Sequence, residues 1–208
     1  PVSMLELMGI LENAAEDSRI KAISINGSSY LNHTKSIEIA EMLKAFKSSG
    51  KKIYAYGDYY SQSGYLLSSV ADSIYLHPSG NIDLKGYSII FHYFKDFFNR
   101  YDIEMEVYRA GRYKSYVETY QRNSLSQESE SQYTEYLNDI HKELISEISL
   151  NREIPFYKVE SIISGNLGRS TYSSITNGLI DAEKYGVDYR EELINLYNLE
   201  DKGFITLS

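Results

Sequence analysis

Lys114 stands in Arg109-Ala-Gly-Arg-Tyr-Lys114-Ser-Tyr-Val-Glu118, close to Tyr113, Tyr116 and Val117. A lysine in partly apolar surroundings loses the solvation that favours its charged form, so its pKa falls and it can serve as a general base near neutral pH. The ordinary alternative is a surface lysine after a strand. Two serines, Ser61 and Ser63, lie in Gly57-Asp-Tyr-Tyr-Ser61-Gln-Ser63-Gly64-Tyr65. A serine between a strand and a helix start is well placed for nucleophilic attack, with backbone N–H groups near for an oxyanion. Serine is inert without a base, and Lys114 is the candidate. The competing role for both serines is capping the helix. His33, His77, His92 and His141 show no ligand pairing such as HxxxH, and no GxGxxG or Walker-type loop appears, so no metal or cofactor is expected.

These residues need elements to hold them. Met4, Leu7, Leu11 and Ala14 recur at helical spacing to about Asp17. Ile20 to Ile25 is a β-rich run, followed by a loop from Ser28 to Thr34. Ile39, Ala40, Leu43 and Phe46 mark a helix closed near Ser49-Gly50. Lys52 to Tyr56 is a strand stopped at Gly57, Ser61 to Ala71 a helix, and Ser73 to His77 a strand ended by Pro78. Ile89 to Tyr101 reads as a helix and Glu104 to Arg109 as the strand before Gly111, where the chain turns. A long helix starts near Ser126, with Tyr133, Leu137, Ile140, Leu144 and Ile148 as its apolar stripe. Pro155 opens a shorter helix, residues 169 to 198 read as two more around Gly178-Leu-Ile-Asp181, and Phe204 to Leu207 as a strand. Strands alternating with helices imply stacked β-α units, a largely parallel sheet and an α/β fold with flanking helices.

The chain has 208 residues, enough for one large domain with a real core. A net charge of -8 argues against a phosphate-backbone binder, so no nucleic-acid partner is expected. There are no cysteines, which removes disulfides and cysteine-based metal sites without fixing the compartment. No apolar run approaches the roughly 18 residues of a membrane span. Ser3-Met-Leu-Glu6 fits a capping box with only Pro1 and Val2 ahead of it, so an excised piece of a longer protein is expected.

Tyr108-Arg-Ala-Gly-Arg-Tyr-Lys114-Ser-Tyr-Val-Glu118 followed by Arg122-Asn-Ser-Leu-Ser126 resembles the lysine-bearing segment of the signal peptide peptidase A (protease IV) family. Tyr60-Ser-Gln-Ser-Gly-Tyr65, Val70-Ala-Asp-Ser-Ile-Tyr-Leu-His-Pro78 and Asn151-Arg-Glu-Ile-Pro155 match it in the family's order. The resemblance runs from about Met4 to Ala182. It implies a crotonase/ClpP-like fold over residues 1–208 and a Ser–Lys dyad peptidase that degrades cleaved signal peptides. The implied place of work is the extracytoplasmic side of the bacterial inner membrane, with an anchor absent from this chain. It further implies two tandem domains, the N-terminal one supplying the lysine and the C-terminal one the serine, in a homo-oligomer, a tetramer in the family.

Two departures imply that this chain is the N-terminal, lysine-bearing half. The family's nucleophile sits in an Ala-Ser-Gly-Gly-Tyr context, and counting from Gly57 to Tyr65 puts Gln62 at its place. The family's Ser-Pro-Gly-Gly loop, which helps bind the oxyanion, has no counterpart after Ile25, where Asn26-Gly-Ser-Ser-Tyr-Leu stands. The expected catalytic residue is Lys114, acting on a serine of another domain or subunit. Three alternatives remain open: a self-sufficient hydrolase using Ser61 or Ser63, a non-catalytic oligomerisation scaffold, and a crotonase-type acyl-CoA enzyme.

Overall fold

The computed structural model describes residues 2–104, 117–199 and 203–204. They divide into two compact units, 1–86 with 144–208, and 87–143. In the first unit α1 (Met4–Glu16) opens on a complete capping box. The Glu6 N–H donates to Ser3 Oγ at 3.2 Å, and the Ser3 N–H donates to Glu6 Oε2 at 2.8 Å. Then come β1 (Ala22–Asn26), α2 (His33–Lys47), β2 (Lys52–Tyr60), α3 (Gln62–Ser68) and β3 (Ser73–Ile82). The second unit holds α4 (Lys95–Arg100), α5 (Glu118–Gln121) and the first part of α6 (Gln127–Arg152). From Leu144 the chain belongs to the first unit again, through α7 (Phe156–Ser164), α8 (Thr171–Thr176), β4 (Ala182–Glu183) and α9 (Gly186–Tyr197).

Among the described residues four strands form one parallel sheet in the order β1-β2-β3-β4. The α/β fold with a parallel sheet and flanking helices is therefore as the alternation of elements implied. One device sets two of the three registers. The Asp72 N–H donates to the Ile53 carbonyl at 2.8 Å while the Asp72 carboxylate accepts from the Ile53 N–H at 3.0 Å. Asp181 repeats the pattern against Ile74, with bonds of 2.9 and 2.7 Å. An aspartate just ahead of a strand thus pins it to its neighbour at both backbone groups of one residue. Ile53, Ala55, Ile74, Leu76 and Ile82 from the sheet and Tyr65, Leu66, Leu144, Ile148, Val159 and Ile162 from the helices are buried. Burying each large aliphatic side chain contributes about 2 kcal/mol.

Several boundaries differ from those read in the sequence. β3 runs through Pro78 instead of ending there, because its pairing with β2 jumps from Gly57↔Leu76 to Tyr59↔Asn81. Proline lacks an N–H, and in this irregular stretch the ladder asks for none. β2 likewise continues past Gly57 to Tyr60. α4 is far shorter than the Ile89–Tyr101 helix expected, and residues 83–94 carry no regular secondary structure. The Phe94 N–H, just ahead of α4, donates to the Thr119 carbonyl at 2.7 Å instead of to a preceding helical turn. β4 interrupts the expected pair of C-terminal helices: two residues only, it is a strand through its bonds to β3. The expected strand at Glu104–Arg109 lies outside the described residues except for Glu104. Most of the one at Phe204–Leu207 lies outside them too.

Candidate active site

β1, β2 and β3 end side by side, at Asn26, Tyr60 and Ile82, and the candidate site is built on the chain just past those ends. Ligands of open parallel sheets collect outside the carboxyl ends of the strands. The close approach there depends on glycine. A Cβ on Gly64 would lie 1.9 Å from the Gly27 carbonyl oxygen, and one on Gly27 would lie 2.3 Å from the Tyr60 ring. Only two residues without side chains let the start of α3 meet the end of β1. The Gly27 carbonyl accepts from the Ser61 N–H at 3.2 Å, and Tyr60, fully buried, donates its hydroxyl to the Tyr75 carbonyl at 2.8 Å. Burial raises the Tyr60 phenol well above its ordinary pKa, so it stays a neutral donor.

Ser61 is the N-cap of α3, its Oγ accepting from the Gly64 N–H at 3.0 Å, and is only 4% exposed. Its hydroxyl donates to the Ser29 carbonyl. Ser63 donates to the same carbonyl at 2.7 Å and accepts from the Leu31 N–H at 3.1 Å. Both hydroxyls thus hold the loop after β1. The same loop is tied by Asn26, whose Oδ1 accepts from the Ser28 N–H at 3.0 Å and the Ser28 hydroxyl at 2.9 Å. The segment that stands where an oxyanion loop was sought is folded onto its own side chains.

Between the serines, Gln62 turns the other way. Its Oε1 accepts from the Gly86 N–H at 2.8 Å and the Lys85 N–H at 3.1 Å, and its Nε2 donates to the Gly86 carbonyl at 3.1 Å. Gln62 therefore clamps the chain that leaves β3. Nothing in the sequence signalled this contact, because its partners are 23 and 24 residues away and are backbone groups.

Lys114, the expected base, lies outside the described residues, as do Arg109, Gly111, Tyr113 and Tyr116. The segment on its C-terminal side is organised around a buried carboxylate. Glu118, 4% exposed at the start of α5, accepts from the Ser126 N–H at 3.0 Å and from the hydroxyls of Ser126 and Ser129 at 2.7 and 2.9 Å. Ser126 Oγ in turn accepts from the Ser129 N–H at 3.2 Å, which is N-cap geometry for α6. Burial pushes the Glu118 carboxyl up, but the Ser126 N–H and the two hydroxyls outweigh it and hold it below the ordinary carboxylate range. The start of the long helix near Ser126 was legible in the sequence, whereas the buried carboxylate eight residues upstream of Ser126 was not.

The family model for Peptidase family S49 matches residues 45–200. Among curated relatives, Protease 4 of Haemophilus influenzae is 30% identical over 159 residues, covering 74% of this chain and 25% of that protein. Protease 4 of Salmonella typhi is 27% identical over 194 residues, covering 90% of this chain and 30% of that protein. The chain thus spans between a quarter and a third of the length of these relatives. A solved enoyl-CoA hydratase/isomerase family protein from Silicibacter pomeroyi covers 76% of this chain and 83% of its own at 15% identity, with a TM-score of 0.28, too loose a likeness to argue from.

Proposed function

Because the chain belongs to peptidase family S49, we propose that it supplies one half of a Ser–Lys peptidase site, with Lys114 as the general base for a serine on another domain or subunit. The observation that supports the half-site assignment is Gln62, a carboxamide at the position where the family resemblance puts the nucleophile, whose side chain is bonded to Lys85 and Gly86. Ser61 and Ser63 are poor substitutes, since both hydroxyls are engaged with Ser29. In this mechanism the neutral Lys114 amine takes the proton of the partner serine as its oxygen attacks the scissile carbonyl. The protonated lysine then gives that proton to the leaving amine, and water resolves the acyl-enzyme by the same route. A lysine operating near pH 8 needs its pKa lowered by about 2 units from its reference, a shift that burial on assembly with the serine-bearing half would supply.

The substrates proposed are cleaved signal peptides at the extracytoplasmic face of the inner membrane, and the assembly proposed is a homo-oligomer. No helix among the described residues is long and apolar enough to cross a membrane, so the proposed anchor is a segment outside this chain.

The test is made in the full-length protein. Lys114→Ala should lower kcat/KM for a hydrophobic acyl peptide to background with an unchanged circular dichroism spectrum. Lys114→Arg should fail equally, because a guanidinium keeps its proton. Near-normal activity in Lys114→Arg would remove the lysine from the role of base. Labelling by a fluorophosphonate separates the alternative: if this chain is labelled, and Ser61→Ala or Ser63→Ala abolishes labelling, it is a hydrolase by itself.

A further inference from the structure

The Gln62 side chain is bound as a peptide group would be. Its oxygen receives two successive backbone N–H groups, Lys85 at 3.1 Å and Gly86 at 2.8 Å, and its nitrogen gives a hydrogen to the Gly86 carbonyl at 3.1 Å. Gly86 has a φ of +77°, in the left-handed region, and such a residue lets consecutive N–H groups converge on one oxygen. The pattern is selective. A carboxylate could use the two N–H groups but would set its second oxygen against the Gly86 carbonyl. An ester would bring no donor to that carbonyl. Only an amide satisfies all three groups, and the orientation of Gln62 follows from the same logic, since the reverse would put its NH2 against two N–H donors.

We propose that Lys85–Gly86 is a binding site for the backbone amide of an extended peptide, filled in this structure by the Gln62 side chain. The location fits a ligand site: just past the carboxyl end of β3, with Lys85 exposed and Gln62 and Gly86 half-buried, so that solvent reaches the clamp. Two-point bonding to one residue's N–H and C=O is how an extended chain pairs with a strand. Gln62 blocks that pairing from within, so the site becomes available when Gln62 leaves it. The clamp is read from its own geometry, and the reading of Lys114 as base enters only the test below, where cleavage of the peptide by the Lys114→Ala protein would overturn that reading and not this one.

The experiment uses the full-length protein with Lys114→Ala as background, so that binding is read without turnover. A fluorescent, N-acetylated hydrophobic octapeptide amide is titrated by anisotropy against this background with and without Gln62→Ala. The expected result is at least a tenfold gain in affinity, about 1.4 kcal/mol, in the Gln62→Ala protein. The same peptide with N-methylated amides should show no gain, because it cannot donate to the Gly86 carbonyl. Gln62→Asn, whose amide is one methylene too short to reach, should reproduce the gain and decides the matter if Gln62→Ala does not fold. An unchanged affinity in a folded variant overturns the proposal. An equal gain for the N-methylated peptide also overturns it, since that would report apolar adhesion alone.

Discussion

At the scale of single residues, the contacts around α3 and α5 make sharp predictions. Gly64→Ala should lower stability by about 3 kcal/mol or more, because its Cβ would overlap the Gly27 carbonyl and neither backbone can yield without moving β1 from α3. A Cβ added to Gly9, in α1, would meet no atom within 4 Å, so Gly9→Ala should raise stability by about 1 kcal/mol through helix propensity alone. Urea unfolding of both variants checks the pair, and equal effects would mean that close approach is not what Gly64 provides. Glu118→Ala should cost about 2 kcal/mol, since the Ser126 N–H and the hydroxyls of Ser126 and Ser129 would lose a shared buried acceptor. Lys114 and Gln62 were singled out in the sequence by position within a motif. The hydrogen bonds of Gln62 were not, because a side-chain amide carries no mark of the backbone groups it will meet.

At the scale of elements, the sheet is assembled by a repeated local rule. Asp72 and Asp181 each sit one residue ahead of a strand and bind both backbone groups of a residue at the start of the neighbouring strand, Ile53 and Ile74. Asp181 also meets Arg152 of α6 at 2.9 Å, which joins the last turn of the long helix to the sheet. Asp72→Ala and Asp181→Ala should each leave a strand N–H without its acceptor and destabilise by about 1–3 kcal/mol. Hydrogen exchange at Ile53 and Ile74 respectively should accelerate, and the wrong amide responding in either variant would refute the assignment. α1, α2 and α6 were legible from apolar spacing, and β1, β2 and β3 as short apolar runs closed by Asn26-Gly27, Gly57 and Pro78. β4 was not, because two residues cannot show an alternation. Pro78 misled for a related reason: proline forbids a ladder hydrogen bond, and only the pairing register shows that none is required there.

At the scale of the whole molecule, two buried or part-buried carboxylates tie stability to pH. For Asp72, burial pushes the carboxyl up, but the Ile53 N–H, Lys52 and Lys47 hold it below the ordinary range. Glu118 is held low by Ser126 and Ser129 against its own burial. Both folded-state pKa values lie below the unfolded ones. Their contribution to stability is therefore full above about pH 4.5 and is lost as the pH falls through the folded values. Urea midpoints between pH 7 and pH 3 should fall, and the fall should be smaller in Asp72→Asn. The half-site proposal adds an expectation about assembly. Sedimentation at several concentrations should show this chain self-associating or binding the serine-bearing domain, and a monomer throughout with no affinity for that domain would count against it.

The sequence by itself determined the α/β class, the order of most elements and the family, because hydrophobic periodicity and short ordered motifs are local properties of the chain. The family resemblance, counted from Gly57 to Tyr65, also drew attention to Gln62 as the residue at the family's nucleophile position, an expectation that the sequence alone can raise. Tertiary structure alone decided what those residues do to one another. It turned Ser61 and Ser63 toward Ser29, set Gln62 on Lys85 and Gly86, and buried Glu118 against Ser126 and Ser129. The physical reason is that most of these bonds end on backbone carbonyls and N–H groups. Every residue but proline has both groups, and only the path of the folded chain selects which of them come within about 3 Å.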